Sequence, residues 1–205
     1  MRKMDAVDGQ ADRNIAQLVE SVRAASYPQL KDEQITLGEM HSDYIYFESR
    51  FQFSSFFSHK LRYLILFNPL AAARQVPREG LRAIAAHELA HIDYYYGQSR
   101  MGLVGLVRLV SAPFAARFER GADLEAIALG YGPGLASYRT WLYQNVPPSR
   151  MEEKKRDYFS PEEIAAILHA AERNPQVMRK FAACVPRNLA EIMAQSHAPE
   201  APCSN

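Results

Sequence analysis

Two histidines four residues apart, with a glutamate beside the first, have the types and spacing of a hydrolytic metal centre. They stand in the run His87-Glu88-Leu89-Ala90-His91. On a helix, His87 and His91 lie one turn apart on the same face and can bind one zinc ion. Glu88 lies beside that face without ligating, where it can act as general base on zinc-bound water. The run arises by chance in on the order of one such chain in a hundred, so the prediction depends on a third ligand.

A catalytic zinc site uses three protein ligands and keeps its fourth position for water, so the third ligand must come from a separate element. Glu119 and Asp123 are four residues apart and share a helix face. One carboxylate can bind zinc while the other accepts the N–H of a ligating histidine and fixes its orientation. Gly121 between them is expected to allow close helix approach. Glu125 is an alternative ligand, although it lies about 240° around the helix from Glu119.

The two motifs together resemble the gluzincin zinc metallopeptidases, in particular the HtpX-like and CAAX prenyl-protease-like families and their small soluble relatives. Those families combine a His-Glu-x-x-His helix with a later helix that carries Glu-x-x-Ala-Asp, and here the second motif is Glu119-Arg120-Gly121-Ala122-Asp123. The likeness covers about residues 60–130. It implies these roles: zinc ligands His87, His91 and Glu119, catalytic base Glu88, and histidine-orienting residue Asp123.

The resemblance also implies a substrate site, but it does not identify the residue that stabilises the oxyanion. The strand predicted at residues 61–67 is expected to bind an extended peptide as an added strand. Tyr138 and Arg139 are the candidates for stabilising the oxyanion. Membrane members of the group carry spanning helices that this chain lacks. His41 and His59, near predicted strand ends, are further residues that could reach the site.

The ligands need two packed helices, and the surrounding sequence predicts them beside a sheet. Residues 14–25 have the apolar spacing of an amphipathic helix, and residues 44–53 alternate as a half-buried strand does. Residues 35–40 and 61–67 flank that strand across short polar turns, which predicts a three-stranded, mostly antiparallel meander. Pro77 offers a helix start and Gly97 a helix stop around the histidine run.

The residues after Gly97 are predicted to be mainly helical. Helices are predicted at residues 113–129 and 136–144, separated by the glycine-rich run 130–134. Residues 147–157 are expected to be an exposed, solvated connection. Ser160, Pro161 and Glu163 form a capping box that opens a helix, and two short helices follow at about 176–184 and 188–195.

These elements predict an α+β, zincin-like fold in which a small, mostly antiparallel sheet packs on the active-site helix. Residues 1–146 are predicted to form the metallopeptidase domain and residues 147–197 a helical C-terminal extension. That extension either completes the core or covers the active cleft. Residues 198–205, with two prolines and no apolar bulk, are expected to be disordered.

Composition limits the class of partner and the compartment. With 24 basic and 23 acidic side chains the net charge is +1, which argues against a charge-driven nucleic-acid role. Cys184 and Cys203 are expected to be free thiols, and the polar N-terminus is unlike a signal peptide, so the predicted location is cytoplasmic. Residues 101–116 are apolar but shorter than the ~20 residues of a spanning helix and interrupted by Arg108. They predict a buried or capping helix, with peripheral membrane contact as the alternative.

The sequence therefore predicts a Zn²⁺-dependent metalloendopeptidase that hydrolyses peptide bonds in a protein or peptide substrate. The alternative is a non-catalytic zinc-binding interaction or regulatory module, since ligands alone do not establish turnover. A helical interaction protein without metal is the third hypothesis. The cleavage preference and the oligomeric state are not predicted.

Overall fold

The computed structural model describes residues 4–198 and Cys203. It is an α+β protein in which helices account for 68% of the residues and the strands form one small mixed sheet. Helix α1 spans Met4–Ser26 and buries Ile15, Val19 and Val22. The predicted amphipathic helix is thus confirmed, although it begins before residue 14.

The sheet has a different order from the predicted meander. Its strands are β1 (Gln34–Glu39), β2 (Phe47–Phe51) and β3 (Arg62–Phe67), and β3 lies between the other two. β3 runs parallel to β1 and antiparallel to β2. The mostly antiparallel meander is therefore wrong: the strand positions are as predicted, but β1 and β2 are the two edges.

The connection between β1 and β2 explains this order. It passes over the end of β3, because the last residue of β1 and the first of β2 both pair with Phe67. The buried Asn68 holds it there: its side-chain amide donates to the carbonyls of Ser42 (2.5 Å) and Ile45 (3.0 Å). The polar connection predicted between the first two strands is present, but β1 and β2, which it joins, are not neighbours in the sheet.

The helices after the sheet follow in chain order. A single turn, α2 (Leu70–Ala73), precedes the long α3 (Arg78–Gly97), whose predicted start after Pro77 and end at Gly97 are confirmed. The remaining helices in the described part of the chain are α4 (Arg100–Val104), α5 (Ala112–Ala126), α6 (Gly132–Asn145), α7 (Pro148–Asp157), α8 (Pro161–Arg173), α9 (Val177–Ala183) and α10 (Leu189–His197).

Helix α3 lies at the centre of the molecule and packs against α1, α5, α6 and β2. It lies close to α6, where an added Cβ on Gly134 would overlap the backbone carbonyl of Glu79, and one on Gly80 would lie 3.2 Å from Cβ of Tyr138. A Cβ on Gly121 of α5 would meet nothing within 4 Å. The expectation that Gly121 allows close helix approach is wrong; Gly80 and Gly134 have that role.

Two predicted segments differ from the structure. Residues 101–116 do not form one helix, because a 3₁₀ segment (Gly105–Val110) separates α4 from α5. Within the described residues, none of the helices has the length and apolarity that a membrane crossing needs. Residues 147–157, predicted as a solvated connection, contain the helix α7, and Lys154 on it is buried.

The C-terminal helices share a core with the rest of the chain. The predicted capping box is confirmed, since Ser160 Oγ accepts from the backbone N–H of Glu163 and Glu163 Oε2 accepts from that of Ser160. Helix α8 packs on α6, and a second apolar cluster joins residues of α3, α5 and α6 to the C-terminal helices. Its members include Ala83, Leu124, Leu135, Phe159, Ile164, Ile167, Phe181 and Ile192.

The cysteines are not free. Cys184, at the end of α9, forms a disulfide with Cys203, with the two Cα atoms 5.5 Å apart. The expectation of two free thiols is wrong, because sequence spacing could not show that the tail returns to the end of α9. The disorder predicted for residues 198–205 falls mostly on residues outside the described part of the chain.

Candidate metal centre

Three side-chain atoms from two helices meet at one point. Nε2 of His87, Nε2 of His91 and Oε2 of Glu119 form a triangle whose three sides are each 3.1 Å. The two histidines come from successive turns of α3, and Glu119 comes from α5, which packs on α3. Ala122 and Ala126 of α5 are buried in the same apolar cluster as Ala86 and Ala90 of α3. The spacing in the sequence and the packing of small residues together bring the ligands into reach.

The triangle fits a metal ion. Ligand atoms at the ~2.0–2.1 Å bond lengths of a tetrahedral zinc site lie about 3.3 Å from one another. The observed 3.1 Å separations are close to that value. A single proton can satisfy only one of the three short separations, whereas a cation satisfies all of them at once. His87, His91 and Glu119 could therefore hold a metal ion.

Asp123 lies directly behind His87. Its fully buried carboxylate places Oδ1 2.8 Å from His87 Nδ1, close enough to take the ring N–H although the N–H is not aligned on the oxygen. Oδ1 also accepts from Nη2 of Arg139 at 2.8 Å, and Oδ2 accepts from the backbone N–H of Phe159 at 3.1 Å. With the proton on Nδ1, the lone pair of His87 Nε2 faces the other two ligand atoms.

The electrostatics of this cluster favour a positive charge at the triangle. Burial lowers the pKa of His87, but Asp123 and Glu119 outweigh it and raise that pKa to about 10. Burial likewise raises the pKa of Glu119, but the two histidines hold it well below its ordinary value. A proton on the imidazole thus stands in for a cation between the carboxylates.

Glu88 lies next to the ligands but does not join them. It is buried, and it lines a cavity of about 350 Å³ that His87, His91 and Glu119 also line. Burial raises the pKa of Glu88, while the histidines and the hydroxyl of Ser49 on β2 act in the opposite direction. The buried carboxylate of Glu88 thus shares a cavity with the three candidate metal ligands.

Strand β2 forms one wall of that cavity, through Phe47, Glu48 and Ser49. Among the described strands β2 pairs only with β3, so its other edge has no strand partner. β3 is hydrogen-bonded on both sides. The expectation that residues 61–67 bind an added strand is therefore wrong, and β2 is the strand edge at the cavity.

Tyr138 and Arg139, the predicted candidates for oxyanion stabilisation, have different contacts. Arg139 is buried, bound to Asp123, and stacked with its guanidinium carbon 4.2 Å from the centre of the Tyr158 ring. Tyr138 is buried and stacks on Trp141. Both line the cavity, but Arg139 is held behind His87 by its contact with Asp123.

Sequence reasoning missed Tyr158 and Lys154, which also line the cavity. The ring centre of Tyr158 is 5.9 Å from that of His87, and Lys154 Nζ lies 5.2 Å from the Tyr158 ring centre. Burial and the charge of Glu119 raise the pKa of Tyr158 well above its ordinary value despite Arg139. Its phenol therefore keeps its proton. The charged residues 152–157 of α7 resemble a solvated linker, so the sequence offered no reason to place this helix at the site. The aromatic Tyr158 at its end was the one local signal of a buried contact.

The other predicted candidates lie elsewhere. Glu125 is not among the clustered ligands; it lies near Tyr27 and Asp93, where burial raises its pKa to about 7. His41 and His59 are exposed and do not line the cavity. The ring of His91 stacks on Phe118, with the centres 4.5 Å apart.

Comparisons of the chain with models of protein families, with curated proteins and with solved structures found no match. The likeness to the gluzincin peptidases therefore stays a prediction that rests on the two motifs.

Proposed function

We propose that the chain is a zinc-dependent metallopeptidase with a zincin-like catalytic domain. One observation carries the proposal: three ligand atoms 3.1 Å apart share a cavity with the buried carboxylate of Glu88. Structural zinc sites are closed by four protein ligands, whereas catalytic sites keep one position open. Within the described residues, the cluster has three such ligands, which favours a catalytic site over a structural one.

The donor set favours zinc. Two imidazole nitrogens and one carboxylate oxygen are typical zinc ligands, whereas Ca²⁺ and Mg²⁺ prefer oxygen ligands throughout. A zinc ion held by His87, His91 and Glu119 would supply a Lewis acid that polarises the scissile carbonyl and makes the attacking water more acidic. Asp123 orients His87 for this role, and Arg139 holds Asp123 in its charged form.

Glu88 is the proposed general base. It would take a proton from the attacking water and later deliver it to the leaving amine. A base works best when its pKa lies near the working pH, and burial moves the pKa of Glu88 upward from its ordinary value. Because α3 holds Glu88 beside His87, the carboxylate stays near the ligands without occupying the open position.

The open edge of β2 is the proposed substrate site. An extended peptide added to this edge would lie along the cavity wall that Phe47, Glu48 and Ser49 form. Backbone hydrogen bonds to β2 do not depend on the side chains of the peptide, so they position a bond for cleavage without selecting a sequence. Side-chain preference would then come from the cavity.

Tyr158 is a further candidate donor to the oxyanion, beside Tyr138 and Arg139. It lies beside His87 and keeps its proton, so it can donate a hydrogen bond to a developing negative charge. Tyr158→Phe is expected to lower kcat by about 10–1,000-fold while leaving the zinc content unchanged. Unchanged kcat would remove this role.

The test compares wild-type protein with Glu88→Gln on a broad peptide library read by mass spectrometry. Both proteins are loaded with zinc, and zinc content is measured on the same samples. Loss of a general base lowers the rate about 10²–10⁴-fold. The wild type is expected to cleave, and Glu88→Gln is expected to keep zinc and lose cleavage to that extent.

Glu79→Gln is the matched control, because Glu79 is an exposed glutamate on the same helix and does not line the cavity. It is expected to cleave as the wild type does. If the zinc-loaded wild type cleaves no peptide, the chain is a zinc-binding interaction or regulatory module instead. Equal cleavage by wild type and Glu88→Gln would contradict the assigned base.

A further inference from the structure

The loop between β2 and β3 carries two apolar side chains that project into solvent. Phe57 is 88% exposed and Phe53 is 72% exposed. Phe56 lies between them and packs inward, with ring centres 5.8 Å from Phe53 and 5.2 Å from Phe57. Single exposed apolar residues need no explanation, but two phenylalanines at one loop tip are a surface feature.

Helix α4 adds two more apolar side chains beside this loop. Met101 is 79% exposed and Val104 is 52% exposed, whereas Leu103 between them is buried. The guanidinium of Arg100 donates to the carbonyls of Ser58 (2.9 Å) and His59 (3.4 Å), which ties the start of α4 to the loop. Phe53, Phe57, Met101 and Val104 are called the Phe57 surface below.

The charge around the Phe57 surface is mainly positive. Residues 49–78 and 94–118 contain no aspartate and no glutamate, in a chain that has 24 basic and 23 acidic residues overall. Arg50, Lys60 and Arg62 lie on the loop and its flanking strands, and Arg100 opens α4. Arg50 lies 3.9 Å from Glu48 and Lys60 lies 3.8 Å from Glu33. Among the described residues, neither Arg62 nor Arg100 forms an ion pair with a carboxylate.

We propose that the Phe57 surface docks the protein peripherally on an anionic phospholipid bilayer. Apolar side chains that project with little cover fit a fluid apolar phase better than a shaped protein groove, and basic side chains around them complement anionic headgroups. The peripheral membrane contact that was the alternative for residues 101–116 is thereby limited to the α4 end of that segment. The β2–β3 loop supplies the other two apolar side chains of the surface.

Docking is independent of the proposed peptidase activity. The surface residues do not line the cavity that holds Glu88 and the metal ligands. Glu88→Gln is therefore expected to bind vesicles as the wild type does. Failure of docking and failure of catalysis can be told apart by measuring both on this variant.

The experiment is flotation of the full chain with vesicles of phosphatidylcholine alone or mixed with phosphatidylglycerol. The wild type is expected to float with the mixed vesicles, weakly with the neutral ones, and less at high salt. Lys60→Gln with Arg62→Gln is expected to weaken binding about thirtyfold. Phe57→Ser with Met101→Ser is expected to remove detectable flotation. Thermal melting establishes that each variant folds.

Two matched controls lie on the C-terminal helices. Leu189→Ser with Met193→Ser removes exposed apolar side chains of α10, and Arg173→Gln with Arg179→Gln removes exposed charges. Both pairs are expected to float like the wild type. Absence of wild-type flotation with mixed vesicles, or equal flotation of the Phe57 surface variants, would overturn the proposal. Light scattering gives a further test. If the wild type is a dimer and Phe57→Ser with Met101→Ser makes it monomeric, a second copy covers this surface and the proposal is overturned.

Discussion

Asp123 has two proposed roles, to pair with Arg139 and to orient the candidate metal ligand His87, and Asp123→Asn tests both. Asparagine keeps the size of the side chain but removes the charge that pairs with the buried Arg139. Breaking a buried ion pair by removing one partner costs about 3–5 kcal/mol. Because His87 Nδ1 lies 2.8 Å from the same oxygen, loss of the carboxylate is also expected to weaken zinc binding about 10–100-fold.

The second substitution, Arg139→Met, is combined with Asp123→Asn. It removes the guanidinium that the first substitution leaves buried without a counter-charge, so most of the lost stability is expected to return. Zinc affinity is expected to stay low, since neither substitution restores an acceptor carboxylate beside His87. Stability and zinc affinity should therefore respond differently to the pair.

Urea unfolding without zinc measures the first quantity, and competition with a chelator of known affinity measures the second. Glu191→Gln, which removes an exposed ion pair with Arg187, is the control and is expected to change neither. If Asp123→Asn leaves zinc affinity unchanged, or if the double variant restores it, Asp123 does not orient His87. If Arg139→Met returns no stability, the buried pair is not the cause of the loss.

Two further predictions concern packing and pH. Gly134→Ala is expected to destabilise the fold by about 1–3 kcal/mol, because the added Cβ would overlap the Glu79 carbonyl. Gly121→Ala adds its Cβ in open space and is expected to stabilise the fold by up to ~1 kcal/mol. Urea unfolding of both variants measures this difference, and equal effects would contradict the assigned contact between α3 and α6. Because burial raises the pKa of Glu125 to about 7, the folded protein keeps a proton that the unfolded chain releases above about pH 4.5, so stability falls between those pH values. Glu125→Gln is expected to remove that fall and to be more stable at pH 8 by about 1–3 kcal/mol, with no difference at pH 4; a difference independent of pH would exclude this cause.

Local signals in the sequence located the elements that carry the site. Pro77 and Gly97 bounded the histidine helix correctly, and the capping box at Ser160 placed α8. The spacing of Glu119 and Asp123 put both side chains on the helix face that meets α3. Such signals succeed because they act within a few residues of the chain.

The features that depend on distant contacts were not predictable in this way. In the observed sheet order, the connection between β1 and β2 is bound by Asn68, which lies more than twenty residues later in the chain. The charged run in α7 resembles a linker, but its helix packs on α5, and Lys154 lies over the rings of Tyr44 and Tyr158. The disulfide requires the tail to meet the end of α9. Each of these needs a tertiary contact that periodicity does not encode.

Metal content tests the proposed centre most directly. Elemental analysis of protein reconstituted with zinc and freed of excess metal is expected to give about one zinc per chain for the wild type and for Glu88→Gln. His91→Ala is expected to give almost none, and His169→Ala, on α8 away from the cavity, is expected to match the wild type. A wild type that retains no zinc, or His91→Ala that retains it fully, would contradict the assignment of His87, His91 and Glu119 as a zinc centre.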